Sequence, residues 1–152
     1  MIEVRPAELD DVAACVEVAA GLAGPPRSRL LVQGALERRE LLVAEAGGEV
    51  IGTLAYRTDW FGCSLVTLVS VRGDWRRRGV ARTLYQALEI RNTSPRLFSS
   101  TPETNAAAIR MHGALGFSPS GYVDNLPQGV RELLFYKRLE PGGDDSPTSS
   151  VL

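Results

Sequence analysis

Apolar positions along this chain alternate and recur in segments short enough to read one at a time. Ile2 to Arg5 alternate as a short strand that Pro6 ends. Leu9, Val12, Ala13, Val16 and Ala19 then share one face at helical spacing, with Asp10 and Asp11 near the positive end of the helix dipole. Gly21 to Pro26 reads as a break, and Leu30, Leu31, Gln33, Ala35 and Leu36 predict a second, weaker helix to about Arg39, with Gly34 an interior cost. Leu41 to Glu45 and Val50 to Tyr56 predict a hairpin closed by Gly47-Gly48, where a tight turn needs positive φ.

Trp60-Phe61-Gly62 connects to Cys63–Val71, which carries apolar residues on both alternating faces: Leu65, Val69 and Val71 on one, Val66 and Leu68 on the other. That pattern marks a central strand covered on both sides. It runs through Arg76-Arg77-Arg78-Gly79 into a helix whose packing positions are Val80, Ala81, Leu84, Ala87 and Leu88. Asn92 to Pro95 stops the helix, and Leu97 to Ser100 reads as a strand. Thr101 to Thr104 opens a further helix with Thr104 as its cap; Ala106, Ala107, Ala108, Ile109, Met111 and Leu115 form its body, and Gly116 ends it. Gly121–Val123 and Glu132–Tyr136 are closing strands. Residues 141–152 have the composition of a disordered tail, which leaves residues 1–140 as one domain.

The turn before the third helix is chemically the most informative stretch. First-turn amides of a helix have no carbonyl partner within it and carry partial positive charge. Gly79 removes a Cβ where the backbone would approach an anion, Ala81 keeps the next position small, and Arg76, Arg77, Arg78 and Arg82 add positive potential at the rim. Three consecutive arginines are also what a solvated face looks like, so the surrounding pattern must decide. The stretch lacks the Gly-Lys-Ser/Thr ending of a nucleotide P-loop and the Gly-x-Gly-x-x-Gly of a dinucleotide fold.

Arg76-x-x-Gly79-x-Ala81 after a Val-rich strand resembles the acetyl-CoA motif of the GNAT superfamily of N-acetyltransferases, Gln/Arg-x-x-Gly-x-Gly/Ala. Asn105-x-x-Ala108-x-x-x-His112-x-x-x-Gly116-Phe117 is similar to a second pattern of that family, Asn-x-x-Ala-x-x-x-Tyr-x-x-x-Gly-Phe. The resemblance covers roughly residues 2–139. It implies the acyl-CoA N-acyltransferase fold: an α/β protein with a mixed, splayed, mostly antiparallel sheet of about six or seven strands flanked by about four helices.

The resemblance also implies a reaction and a set of roles. A primary amine of a small molecule or peptide would attack the thioester of acetyl-CoA directly and pass through a tetrahedral intermediate. The pyrophosphate would meet the amides of residues 77–82, Val80 included, while Val69, Val71 and Asn105 would bond the pantetheine. His112, where the family usually has tyrosine, would protonate the departing thiolate, or only orient the thioester, or be a core residue. The Val71 amide is the oxyanion candidate. Asp59, Glu103, Glu132 or a water relay could serve as base. Tyr56, Trp60, Phe61 and Tyr122 could line an acceptor pocket or belong to core and rim. A catalytically silent CoA-binding or sensing domain is the alternative.

Composition narrows the partners. Seventeen basic and eighteen acidic residues nearly cancel, which gives no bulk charge for a nucleic-acid or membrane-surface role. An interaction module with an acidic partner or RNA would rest on Arg76 to Arg78 alone. Two cysteines, Cys15 and Cys63, without Cys-x-x-Cys spacing, and one histidine make a zinc site unexpected; both cysteines read as small core residues. With no signal pattern and no long apolar run, the chain reads as cytoplasmic, and a homodimer is left open.

Overall fold

The computed structural model describes residues 1–23 and 25–139. The tail expected at 141–152 lies outside the described residues. Among the described residues, four α-helices accompany a mixed sheet of seven strands in the order β1 (Glu3–Pro6), β2 (Leu41–Ala46), β3 (Glu49–Trp60), β4 (Cys63–Val71), β5 (Arg96–Pro102), β7 (Glu132–Arg138), β6 (Ser118–Val123). The described chain divides into two compact units, Met1–Arg57 with Val66–Arg91, and Thr58–Leu65 with the described residues from Asn92 onward.

In the first unit, β1 (Glu3–Pro6) pairs antiparallel with β2 (Leu41–Ala46), which pairs antiparallel with β3 (Glu49–Trp60). Helices α1 (Val12–Ala23) and α2 (Pro25–Glu37) bring Cys15, Val16, Ala19, Val32 and Ala35 into one apolar cluster with Leu41, Val43, Ala55 and Leu68. Of the break expected over residues 21–26, residues 21–23 belong to α1 and residues 25 and 26 to α2, while residue 24 lies outside the described residues. Pro25 opens α2 because a first-turn residue has no amide bond to lose. Asp11 does more than face a dipole: it accepts from the Glu8 amide at 2.7 Å and pairs with Arg5 through both carboxylate oxygens, at 2.8 and 3.0 Å.

Strand β3 runs on to Trp60, beyond the predicted end at Tyr56, because the turn is only Phe61-Gly62, both at positive φ (52° and 72°). Strand β4 (Cys63–Val71) buries Ser64, Val66, Leu68 and Ser70 on one alternation and half-buries Thr67, Val69 and Val71 on the other. Helix α3 (Val80–Arg91) buries Val80, Leu84, Tyr85 and Leu88. Tyr85 takes a packing place that the spacing assigned to alanines.

In the second unit, β7 (Glu132–Arg138) pairs antiparallel with both β5 (Arg96–Pro102) and β6 (Ser118–Val123). Buried Leu97, Ser99 and Thr101 alternate along β5 with half-buried neighbours, and Ser99 lies opposite Phe135. Helix α4 (Ala106–Ala114) is capped by Asn105, whose side-chain oxygen accepts from the Ala108 amide at 3.1 Å. This corrects the expected cap at Thr104: an oxygen at 105 is the one in reach of the amide three residues on. Cys15 is fully buried, whereas Cys63 is half-buried beside the β3–β4 turn, its Sγ 3.6 Å from the Phe61 carbonyl.

Candidate functional site

Between β4 and α3 the backbone makes an unusual path. Gly73–Trp75 form one 3-10 turn, Arg77 and Gly79 both have positive φ (63° and 79°), and α3 begins at Val80. The Thr83 amide is the first to close on the turn, donating to the Gly79 carbonyl at 3.0 Å. The amides before it, at residues 80 to 82, precede any helical carbonyl partner. A Cβ built at Gly79 meets nothing within 4 Å, so the space over the helix start is open to a ligand. Amides without helical partners and exposed arginines are the groups an anion of phosphate type would need there.

The arginines around it differ in what they do. Arg78 lies over the Trp75 ring, 4.9 Å from its centroid, and Arg76 points Nε at the Val71 carbonyl at 3.4 Å. Arg72, not singled out from the sequence, is tied to Glu49 and Asp74. Arg76, Arg77, Arg78 and Arg82 are exposed, Ala81 is half-buried, and Val80 is buried against the sheet. Val69 and Val71 stand just upstream. The Arg72 amide bonds the Ile51 carbonyl of β3 at 2.8 Å, so by strand alternation the Val71 and Val69 amides point away from β3.

In the second unit, Asn105 and His112 lie on α4, as their spacing predicts. Asn105 uses its oxygen as the helix cap, which leaves its amide nitrogen as the group for a ligand. His112 is placed otherwise than a surface proton donor would be. It is 1% exposed, with Nδ1 2.7 Å from the Ala108 carbonyl and Nε2 2.8 Å from the Ser99 hydroxyl. The ring stacks on Phe135 (4.4 Å, 10°) and meets Phe117 edge-on (5.4 Å, 82°). Burial lowers its pKa below the ordinary histidine value, against a smaller upward pull from the Ala108 carbonyl. A buried, neutral imidazole with both nitrogens engaged is a poor donor to a leaving thiolate.

Of the acceptor-pocket aromatics, Trp60 and Phe61 belong to a row in the second unit: Phe61 edge-on to Trp60 (4.9 Å), Trp60 on Phe98 (4.9 Å), Phe98 on Tyr136 (5.2 Å). Tyr56 is half-buried on β3 in the first unit, its hydroxyl pKa raised by burial. Tyr122 stacks under Arg131, 3.8 Å from the ring centroid, and Arg131 also grips Asp124 at 2.9 and 3.2 Å. Asp59 and Glu103 are exposed and Glu132 half-buried. The Glu103 amide donates to the Arg131 carbonyl at 2.9 Å. Ser99, Phe135 and Arg131 were not legible as site residues; only the polar Ser99 within a strand of buried alternate positions gave a signal. Among the described residues no three His, Cys, Asp or Glu side chains gather as metal ligands, and no helix is long and apolar enough to cross a membrane.

Comparison with known proteins adds three findings. Residues 17–117 match the family described as Acetyltransferase (GNAT) family, a span that includes the cradle and α4. Two curated relatives named L-methionine sulfoximine/L-methionine sulfone acetyltransferase, from Pseudomonas paraeruginosa and Pseudomonas aeruginosa, are 34% identical over 96 residues, 58% of this chain and 55% of theirs. The chain spans about half the length of the curated relatives it matches. Among solved structures, a GNAT-family acetyltransferase from Bacillus cereus ATCC 10987 is 28% identical with a TM-score of 0.82, covering 93% of this chain and 99% of that one. The yncA protein of Salmonella typhimurium, solved with its cofactor acetyl-CoA, has a TM-score of 0.73 at 19% identity, covering 97% and 98%, a likeness of fold.

Proposed function

Because this chain belongs to the acetyltransferase (GNAT) family, we propose that it is a cytoplasmic N-acetyltransferase moving the acetyl group of acetyl-CoA to a primary amine. The observation that carries the reading is the Gly79 turn, an open, positively rimmed helix start inside the matched span. In this reading the amides of residues 77–82 and the rim arginines Arg76, Arg77, Arg78 and Arg82 hold the pyrophosphate. Gly79 lets the backbone turn at positive φ into the helix, Val80 anchors the first turn on the sheet, and Ala81 keeps the next position small. In the first unit the backbone of Val69 and Val71 is the group offered to the pantetheine, with the Val71 N–H as donor to the oxyanion; in the second unit the Asn105 amide nitrogen is the group offered to it.

The reaction forms a C–N bond and breaks the C–S bond of the thioester; the amine gives up one proton and the thiolate takes one. A primary amine has a pKa of about 10.4 and must lose its proton before attack. Asp59, Glu103, Glu132 or water can accept it. The acceptor is a small-molecule or peptide amine, and the names of the curated relatives favour an amine borne by an amino-acid-like molecule.

A second reading, a silent CoA-binding domain, is favoured by one observation: His112 is buried and neutral. Thermal unfolding with acetyl-CoA, and separately with CoA, tests the shared premise. A ligand at about 100 times its dissociation constant stabilises the native state by about 2.7 kcal/mol. An upward shift with both ligands is expected; no shift at millimolar ligand overturns both readings. Thiol release in the presence of amino-acid amines then separates enzyme from silent binder.

A further inference from the structure

His112 is the chain's one histidine, so its chemistry can be read without interference from another imidazole. The Ala108 carbonyl can only accept a hydrogen bond, so the 2.7 Å contact to Nδ1 places a proton on that nitrogen. In the neutral ring Nε2 then carries a lone pair, and the Ser99 hydroxyl at 2.8 Å is its donor. Ser99 is itself fully buried, on β5, a strand that pairs with β7. The layer around the ring is apolar: Phe135 of β7 below it and Phe117 at its edge. Lys137 of β7 is a charged group beside this layer, its Nζ 5.9 Å from the Phe117 centroid.

We propose that Ser99 and His112 are a positioning pair: the imidazole, as the Nδ1–H tautomer, donates to the Ala108 carbonyl, accepts from Ser99, and so fixes α4 against β5. Neither nitrogen takes part in proton transfer during turnover. The pair acts on the reaction through α4, whose N-cap is Asn105. That functional consequence rests on the acetyltransferase reading above, whereas the tautomer and the bond to Ser99 do not.

Two measurements test it. In the full chain labelled with 15N-histidine, long-range proton–nitrogen correlation reads a single imidazole. The expected spectrum has Nδ1 protonated and Nε2 bare, unchanged between about pH 8 and pH 6 although a free imidazole titrates near 6.5. Replacing Ser99→Ala should move the Nε2 resonance and leave Nδ1 nearly in place. An Nε2–H tautomer, or an imidazolium forming near pH 6.5 in the folded chain, overturns the proposal.

In steady-state kinetics Ser99→Ala should raise KM for acetyl-CoA by about tenfold, as loss of a buried bond of ordinary strength would, with the pH profile of kcat unchanged. His112→Gln, whose side-chain oxygen can accept from Ser99, should recover more acetyl-CoA affinity than His112→Phe. A variant at 112 that keeps KM but loses a limb of the kcat profile makes the residue a proton donor and ends the argument. Should His112→Phe fail to fold, the wild-type spectrum and Ser99→Ala still decide. Should the wild-type chain turn over no acetyl-CoA, the acetyltransferase reading fails while the spectrum still judges the pair.

Discussion

A Cβ added at Gly52 of β3 would lie 2.9 Å from Cγ1 of Val80 in the first turn of α3, a separation real Cβ atoms essentially never show. The same atom would meet Leu84 Cδ1 and the Ser70 carbonyl, each at 3.3 Å. Gly52 is thus the place where the helix carrying the cradle rests on the sheet of its own unit. Gly52→Ala should destabilise by about 1–3 kcal/mol, the usual range for overpacking. The double variant Gly52→Ala with Val80→Ala should recover part of that, since the clash is with a valine methyl. Denaturant unfolding of the wild type, the two single variants and the double variant checks it; an additive double variant would remove the contact as the cause.

At Gly79 the space is open and the conformation is the constraint: φ is 79°, and no atom lies within 4 Å of a built Cβ. Gly79→Ala should therefore cost about 1–2 kcal/mol of stability through left-handed backbone strain and leave CoA affinity within a few-fold. Gly79→Glu carries the same strain and adds a carboxylate at the anion site, so CoA binding should be lost. Calorimetric titration of both variants separates charge from strain. Equal affinities in the two would sink the phosphate role of the cradle.

The contrast between these glycines shows what could be read from sequence. Gly79 announced itself by its neighbours, a Val-rich strand before and a helical period after, and the motif around it was legible at once. Gly52 sits among apolar strand residues, and nothing local says that a helix starting at Val80 will press on it. The helices and strands followed from period and from Gly and Pro punctuation, with errors where a side chain overrode the local signal. Asn105 caps in place of Thr104, and Tyr85 packs where small alanines were expected. His112 could be located but not interpreted, because its state depends on Ser99 and Phe135, distant in sequence and brought beside it by β5 and β7.

Asp11 supplies a pH dependence at the acid end. Its pKa is lowered chiefly by the bidentate bond from Arg5, burial opposing, with the Glu8 amide helping. A carboxylate held below its unfolded value of about 3.9 stabilises fully above that pH, and the contribution fades as pH falls through the folded value. Arg5 is about one-third exposed, 33% for its side chain, so solvent screening tempers the pair. Asp11→Asn should cost about 1–2 kcal/mol at neutral pH. The difference from wild type should shrink below about pH 4; a difference that persists at low pH would mean the carboxylate's charge is not what matters.

His112 titrates in the other window. Burial lowers its folded pKa, so above the unfolded value of about 6.5 the ring is neutral in both states and costs nothing. As pH falls below that value the unfolded chain takes up a proton that the folded chain refuses. Stability then declines, by up to about 1.4 kcal/mol per pH unit, until the pH reaches the folded pKa. Because the chain has one histidine, wild-type unfolding free energy between about pH 6.5 and pH 5 should show this slope with no second imidazole adding to it. In His112→Phe, which can fill the stacked layer on Phe135 without titrating, the slope should be absent even if the absolute stability is lower. If both proteins lose stability equally over that window, the buried imidazole is not its source, and an imidazole able to take up a proton in the folded chain would again be available for chemistry.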